Sequence, residues 1–409
     1  MTRNSLSSDW SRFSVNPRGY AGDPFIVVSD EPGARIVDLL SVETNDETYV
    51  LPTSVTIDNK LYSVKLVGDY LFTATGSNVG TNVKEVVVPG EIEYIGARAF
   101  MKDASLTSTS SPVENVFLID ETLNDGLLST ARFELTADDL GSSSDAKYDE
   151  FGNATNIYVR KSAEEAYKTA WTHYADNISY KIPFTQAGEY GTFAREFDVD
   201  FSEVNGVDAE NPVTDDPVVI AFTGDGKYSK NGDTFSVHMT SINLGDKTGK
   251  DGTYISAGSG VLIKKYREPD ATSGTGIYYQ IAETGVSEAF VEGNYMKGVT
   301  VRKEKIETVD GVSRYYISGG KLHEMTQPKQ FGNHKSFMEI SNADIPTGAK
   351  VMLCFIGIED EAESTGIDNL MTDENVDDAN KIYYNLNGQR VYTPSKGIYI
   401  LNGKKVIVK

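Results

Sequence analysis

Two short stretches decide how the chain folds: "VKLVGDYLF" at residues 64–72 and "IEYIGARAF" at residues 92–100. They align without gaps, 28 positions apart. Apolar residues match at Val64/Ile92, Leu66/Tyr94, Val67/Ile95, Leu71/Ala99 and Phe72/Phe100, with Gly68 and Gly96 in register. Each follows a piece that contains a proline, "YVLPTSV" before the first and "VKEVVVPGE" before the second. The pattern predicts a strand, a tight turn and a short helical turn per unit. Such units bury their apolar sides only by stacking on neighbours, which is how a solenoid is built.

Two further runs, "NVFLID" at 115–120 and "NIYVRK" at 156–161, continue the stack at uneven spacing. The polar segment at 135–155, "LTADDLGSSSDAKYDEFGNAT", reads as an insertion loop. Beyond it, Ser162 and Glu165 have the S-x-x-E spacing of a capping box. Ala163, Ala166, Tyr167, Ala170, Trp171 and Tyr174 then make one apolar stripe of a helix that covers the open end of the stack.

The stretches "VPGEIEYIGARAF" at 88–100 and "YVLPTSVTIDNKLYSVKLVGDYLF" at 49–72 resemble the BspA-like leucine-rich repeats of surface proteins in Bacteroides-type bacteria. "IYVRKSAEEAYKTAW" at 157–171 looks like the element that closes such arrays, with Arg160 where proline is usual. The resemblance spans about residues 36–182 and implies a short leucine-rich-repeat solenoid with a C-terminal cap helix.

From residue 183 the pattern becomes strands separated by Gly, Asp and Asn turns, spaced as in an antiparallel β-sandwich. In "FSVHMTSI", Phe235, Val237, Met239 and Ser241 share one face. His238 falls on the other with Ser236 and Thr240, which reads as a solvated or edge position. "EYGTFAREFDVDFSEVNGVDA", "ISAGSGVLIKK", "NYMKGV" and "KSFMEI" resemble, in that order, a β-rich accessory domain of the same bacterial group. That resemblance spans roughly 183–358, implies a sandwich, and carries no active site.

The net charge of −22 speaks against nucleic acid, which needs clustered Lys and Arg, and against an anionic membrane. It reads as solvation at the cell exterior. A calcium loop is absent, because "GDGKYSKNGD" spaces its acids wrongly. The single cysteine, Cys354, leaves no internal disulfide or Cys-based zinc site, and "VMLCFIGI" marks it as a buried strand residue. No apolar run approaches the ~20 residues of a membrane span. The first residues, "MTRNSLSSDWSRFSVNPRG", have no hydrophobic signal core, so either the protein is cytoplasmic or its export signal lies outside this sequence, a choice that composition alone does not make.

The motifs of acyl transfer, zinc hydrolysis and nucleotide binding are missing from the sequence. Its histidines are His173 in the helix, His238 on a strand, and His323 and His334 around "GGKLHEMTQPKQFGNH". Across a hairpin the last two reach a metal together with Glu324; the competing reading makes them ordinary polar loop residues. A glycosidase-like carboxylate pair is a matter of tertiary distances. The acid pairs Asp138/Asp139, Asp215/Asp216 and Asp377/Asp378 fall in loops or linkers, where solvation explains them. The expectation is therefore a chain with no catalytic, cofactor or metal residues. Tyr-rich stretches such as "VSRYYISGG" are where exposed rings would mark sugar stacking.

Residues 359–378 carry nine acids and no base, an acidic linker reaching to about 380. Residues 381–409 follow as a basic β tail with six Lys and Arg and no acid. Asn387-Gly388 and Asn402-Gly403 predict two-residue hairpin turns, and Pro394 lies in the connection between them. "YNLNGQRV…KGIYILNGKKVIVK" resembles the ending of exported proteins in that phylum and a shortened relative of its secretion-sorting domains. The expected organisation is thus an N-terminal segment at 1–35, repeats at 36–182, a sandwich at 183–358, a linker at 359–380 and the tail. The expected function is non-enzymatic binding or adhesion at the cell surface or in the medium, toward a host or environmental protein or glycan. The alternative is a carbohydrate-active enzyme or accessory glycan-binding protein.

Overall fold

The computed structural model describes residues 25–39, 46–69, 71–72, 82–101, 113–119, 129–130, 151, 155–186, 188–206, 216–231, 233–242, 253–269, 276–283, 287–288, 294–301, 304–345, 347–356, 383–384, 390–391, 397–401 and 404–408. The chain is mostly β, in several sheets, with no closed barrel among the described residues.

In the first part the strands are β1 (Phe25–Glu31), β2 (Ala34–Leu39), β3 (Thr48–Val50), β4 (Ser54–Ile57), β5 (Lys60–Val67) and β6 (Glu85–Pro89). They continue as β7 (Tyr94–Ile95), β8 (Asn115–Ile119), β9 (Ser129–Thr130), β10 (Asn156–Tyr158) and β11 (Ile178–Ser179). Two sheets form, in the orders β1-β2-β5-β7-β9 and β11-β10-β8-β6-β3. The second is parallel throughout, and so is the path β2-β5-β7-β9 of the first, to which β4 adds as an antiparallel partner of β5. From β5 to β10 successive strands alternate between the two sheets. The first sheet reaches back to Phe25, ahead of the expected start at residue 36.

The aligned residues meet in space: Leu66 pairs with Tyr94 and Val67 with Ile95. Gly96 sits where no side chain fits, since a Cβ there would lie 2.6 Å from the Asp69 amide nitrogen. Asp69 Oδ1 in turn accepts the Ala97 amide at 2.8 Å. The expected helical turn after Gly96 is a hydrogen-bonded turn instead, Ala99 N to Gly96 O. Between the two sheets, Phe72, Phe100 and Phe151 form a column with centroid steps of 6.0 and 5.4 Å, ending on Trp171 and Tyr174. Phe151 lies within the expected insertion loop, yet it is a core residue; residues 131–150 fall outside the described ones.

The predicted helix is short. A 3-10 turn at Lys161–Ala163 leads into α1 (Glu164–Ala170), followed by a second 3-10 turn at Thr172–Asn177. Ala163, Tyr167, Trp171 and Tyr174 are buried as the stripe requires. The Ser162/Glu165 capping box does not form. Ser162 Oγ donates instead to Glu283 at 2.6 Å, a stronger charge-assisted acceptor brought in by the second part.

The second part begins with β12 (Ile182–Pro183), β13 (Tyr190–Phe193), β14 (Val199–Asp200), β15 (Val219–Asn231), β16 (Thr234–Ile242) and β17 (Thr253–Tyr254). It continues with β18 (Val261–Lys265), β19 (Tyr278–Ile281), β20 (Ser287–Glu288), β21 (Met296–Val299), β22 (Glu304–Ile306) and β23 (Val312–Ser318). The last of it are β24 (Lys321–Glu324), β25 (Lys329–Phe331), β26 (Lys335–Ser341) and β27 (Lys350–Ile356). A sheet ordered β13-β18-β15-β16-β27 faces one ordered β21-β26-β23-β24. Phe222, Phe235, Val237, Met239 and Leu262 meet Met296, Tyr315, Met338 and Ile340 between them. The first of these sheets is mixed, because β27 runs parallel to β16. That pairing places His238, which is half-buried, on an interior strand and corrects its edge reading. Cys354 lies in β27 opposite His238.

The tail forms one small antiparallel sheet of β28 (Tyr383–Tyr384), β29 (Arg390–Val391), β30 (Gly397–Leu401) and β31 (Lys404–Val408), in the order β29-β28-β30-β31. Asn402 and Gly403 lie outside the described residues, but Leu401 opposes Lys404 on either side of them. Asn387, Gly388 and Pro394 lie outside as well. Tyr384 opposes Arg390.

Candidate functional site

The parallel sheet of β3, β6, β8, β10 and β11 is apolar on both faces, as its runs "EVVVP", "NVFLI" and "NIYV" dictate. Val86, Val88, Val116, Leu118, Ile157 and Val159 point into the first core. The alternate residues Val87, Phe117 and Tyr158 sink into the core of the second part, against Phe197, Val199, Phe201 and Tyr279. Each of these large side chains contributes roughly 2 kcal/mol of burial. The face of the stacked strands that would offer a binding surface in isolation is thus the joint between the two parts.

A polar cluster grows at the rim of this joint. Glu85 opens β6, Arg195 and Glu196 follow β13, and His334 lies between β25 and β26 in the left-handed region at φ 57°. Arg195 is 3% exposed. Its Nη1 donates to Glu85 Oε2 at 3.1 Å and to His334 Nδ1 at 3.1 Å, and its Nη2 donates to Glu196 Oε1 at 2.7 Å. The guanidinium carbon stands 4.6 Å from the Phe117 ring centre and 4.8 Å from that of Phe197. His334 Nε2 lies 3.4 Å from both Glu85 Oε2 and Glu196 Oε2, and 3.3 Å from Thr48 Oγ1. Asn333 Nδ2 reaches the same hydroxyl at 3.2 Å.

Burial opposes the charge on Arg195, but Tyr279, Glu196 and Glu85 push its pKa up overall. Burial raises the Glu196 carboxyl, yet Arg195 and His334 outweigh it and hold that group below its ordinary value. Burial, with the Glu85 charge nearby, pushes Tyr158 up to about 12. Arg195 stands between two carboxylates, Glu85 and Glu196, and its one positive charge is shared by both.

Glu85, Glu196 and His334 are the one group among the described residues whose donor atoms lie close enough to share a metal ion. The proton positions argue against that use. A guanidinium only donates, so His334 Nδ1 must accept and Nε2 must carry the hydrogen. Nε2 then has no lone pair for a metal while Arg195 is in place.

The histidines singled out by spacing do not come together. His334 belongs to the joint, whereas His323 sits in β24 opposite Tyr316. The His323, His334 and Glu324 set is therefore not a metal cluster. His173 is exposed beside Tyr174, with ring centres 4.7 Å apart. Asp216 binds Arg267 at 3.0 Å, while Asp138, Asp139, Asp215, Asp377 and Asp378 lie outside the described residues. Sequence reasoning passed over Arg195 and Glu196. The signal was present in "TFAREF", a charge pair enclosed by apolar residues, which a buried ion pair explains better than a surface one.

A groove of about 570 Å³ opens where β24 and the start of β27 approach each other. Ser313, Tyr316, His323, Glu324, Asn342 and Thr347 are among its walls. Ser313 Oγ donates to Glu324 Oε1 at 3.2 Å. His323 Nε2 donates to the Ser318 carbonyl at 3.1 Å, which leaves Nδ1 an acceptor. The His323 ring stacks on Tyr316 at 5.2 Å and 19°, and Lys329 Nζ stands 4.0 Å from the Tyr316 ring centre. This volume is inside the range in which small-ligand sites fall.

No protein-family model and no curated protein matches this chain. A crystal structure of the pneumococcal vaccine antigen PcpA is similar at 20% identity over 23% of this chain and 26% of that one, with a TM-score of 0.17. The chain thus spans about a quarter of that protein's length, a likeness too slight to carry an argument.

Proposed function

We propose that the chain is a non-enzymatic binding protein that works outside the cell. Its first part is read as a short BspA-like leucine-rich-repeat solenoid closed by a cap helix, its second as a β-sandwich, and its tail as the ending of an exported protein. The in-register parallel pairing of Leu66 and Val67 with Tyr94 and Ile95 supports the repeat reading. The facing sheets around Phe222 and Met338 support the sandwich.

The observation that carries a binding role is the open polar groove beside β24, set on a body whose two parts share a core. A preformed concavity on a rigid support loses little entropy when it is filled. Glu85 and Glu196, whose carboxylates approach each other at the joint, are joined by Arg195, so they serve its integrity rather than a substrate. The partner is a host or environmental macromolecule, not a nucleic acid. No helix among the described residues is long and apolar enough to cross a membrane.

The test is direct binding of the purified full chain to a panel of extracellular-matrix proteins and a glycan array. Binding above unrelated acidic proteins of similar charge is expected, and silence on both sinks the reading. Antibody labelling of intact cells of the source bacterium checks the location, and a wholly intracellular pool overturns it.

A further inference from the structure

We infer that the groove beside β24 is a saccharide site for a neutral, hydroxyl-rich ligand, an assignment that rests on the binding reading above. Its walls mix donors and acceptors, of which Glu324 and His323 are held by hydrogen bonds. Asn342, Thr347 and Lys350 supply hydrogens, while the second carboxylate oxygen of Glu324 and Nδ1 of His323 supply lone pairs. A ligand whose groups both donate and accept satisfies such walls, and a sugar hydroxyl does both.

Charge narrows the class. Glu324 and Lys350 give the walls one charge of each sign, so no single local charge selects an ionic ligand, and the net charge of −22 further disfavours an anion. A neutral sugar uses both side chains as hydrogen-bond partners. The hydroxyls are read by the edges of polar side chains rather than by ring stacking, because Tyr316 already has His323 and Lys329 against it. The Tyr316/His323 stack instead braces the imidazole, whose tautomer is set by the Ser318 carbonyl.

The experiment uses the full chain on an array of neutral oligosaccharides, with hits measured by calorimetry. Glu324→Gln and Asn342→Ala are the variants, since both positions are exposed and outside the cores. Each is expected to weaken the sugar by about tenfold or more, the worth of one charge-assisted or well-placed hydrogen bond, at unchanged Tm. Sugar binding that both variants leave intact overturns the groove assignment while the binding reading stands. Capture of a matrix polypeptide but no sugar, weakened by the same variants, overturns the saccharide class alone. No binding of either kind overturns the assignment and the reading it rests on.

Discussion

The rings of Phe117 and Phe197 meet 5.2 Å apart, with the Arg195 guanidinium close to both. One ring comes from β8 of the first part and the other from the loop after β13, so the two parts are joined by a desolvated contact. Phe117 also stacks on Tyr158 at 5.3 Å and 18°, which extends the contact across two strands of the parallel sheet. Lys161 and Ser162 add a second tie, through Glu203 at 2.8 Å and Glu283 at 2.6 Å.

The joint makes the two parts unfold together. Calorimetry of the full chain should show one main transition for residues 25–356. Phe117→Asp would place a charge in that core and should split the transition in two. A single unsplit transition at unchanged temperature would show that the joint adds nothing to cooperativity.

Arg195→Met should cost about 3–5 kcal/mol, the usual penalty for leaving buried carboxylates without their counter-charge. Adding Glu196→Gln should recover part of that loss, because it removes the stranded charge. Urea unfolding of the two variants measures the coupling. Additive effects would mean that the pair does not interact.

Zinc offers an independent check on the proton positions. The intact chain should show no Zn²⁺-dependent rise in Tm, since Arg195 keeps the hydrogen on His334 Nε2. In Arg195→Met the ring is free to change tautomer, and Glu85, Glu196 and His334 then become a usable donor set. A zinc-induced Tm rise in that variant, absent from the parent chain, is the expected result. A rise in the parent chain would contradict the tautomer.

How much of this was legible in the sequence depended on whether the cause was local. The match of residues 64–72 with 92–100 survived because stacked strands repeat the same burial at each level. The alternation in "FSVHMTSI" survived for the same reason, with Phe235, Val237 and Met239 all buried. His238 was read as solvated or at an edge; the edge alternative fails because alternation is blind to what lies beside a strand, and β27 arrives from over a hundred residues away. Phe151 was hidden inside a polar segment, and its burial comes from Phe100, Trp171 and Tyr174, which lie in other stretches of the chain. The capping box failed because Glu283, remote in sequence, competes for Ser162. The joint was invisible for the deepest reason: Glu85, Arg195 and His334 belong to three separate stretches, and no local pattern links them.

That phenylalanine column supplies a stability test within the first part. Phe100 is fully buried between Phe72 and Phe151. Phe100→Ala should cost about 3–5 kcal/mol through lost burial and the cavity left behind. Phe100→Leu should cost much less, because it keeps most of the volume. Equal losses in the two variants would point to ring geometry rather than volume.

The last prediction concerns acid. Glu196 has its carboxyl held below the ordinary value of 4.5, because Arg195 and His334 outweigh the effect of burial. The folded protein therefore takes up that proton at a lower pH than the unfolded chain does. The resulting stability is fully present above about pH 4.5, and it is lost as pH falls through the lower folded value. Asp30 follows the same sign. Its bonds to Lys60, Tyr62 and Arg35 lower it from 3.8 to about 2, but it is exposed and contributes less. Urea midpoints at pH 7, 5, 4 and 3 should fall more steeply for the parent chain than for Glu196→Gln once below pH 4.5. The difference in slope is limited to one proton, about 1.4 kcal/mol per pH unit. Parallel curves for the two proteins would mean that Glu196 is not held in its charged form by Arg195, and the network at the joint would need another explanation.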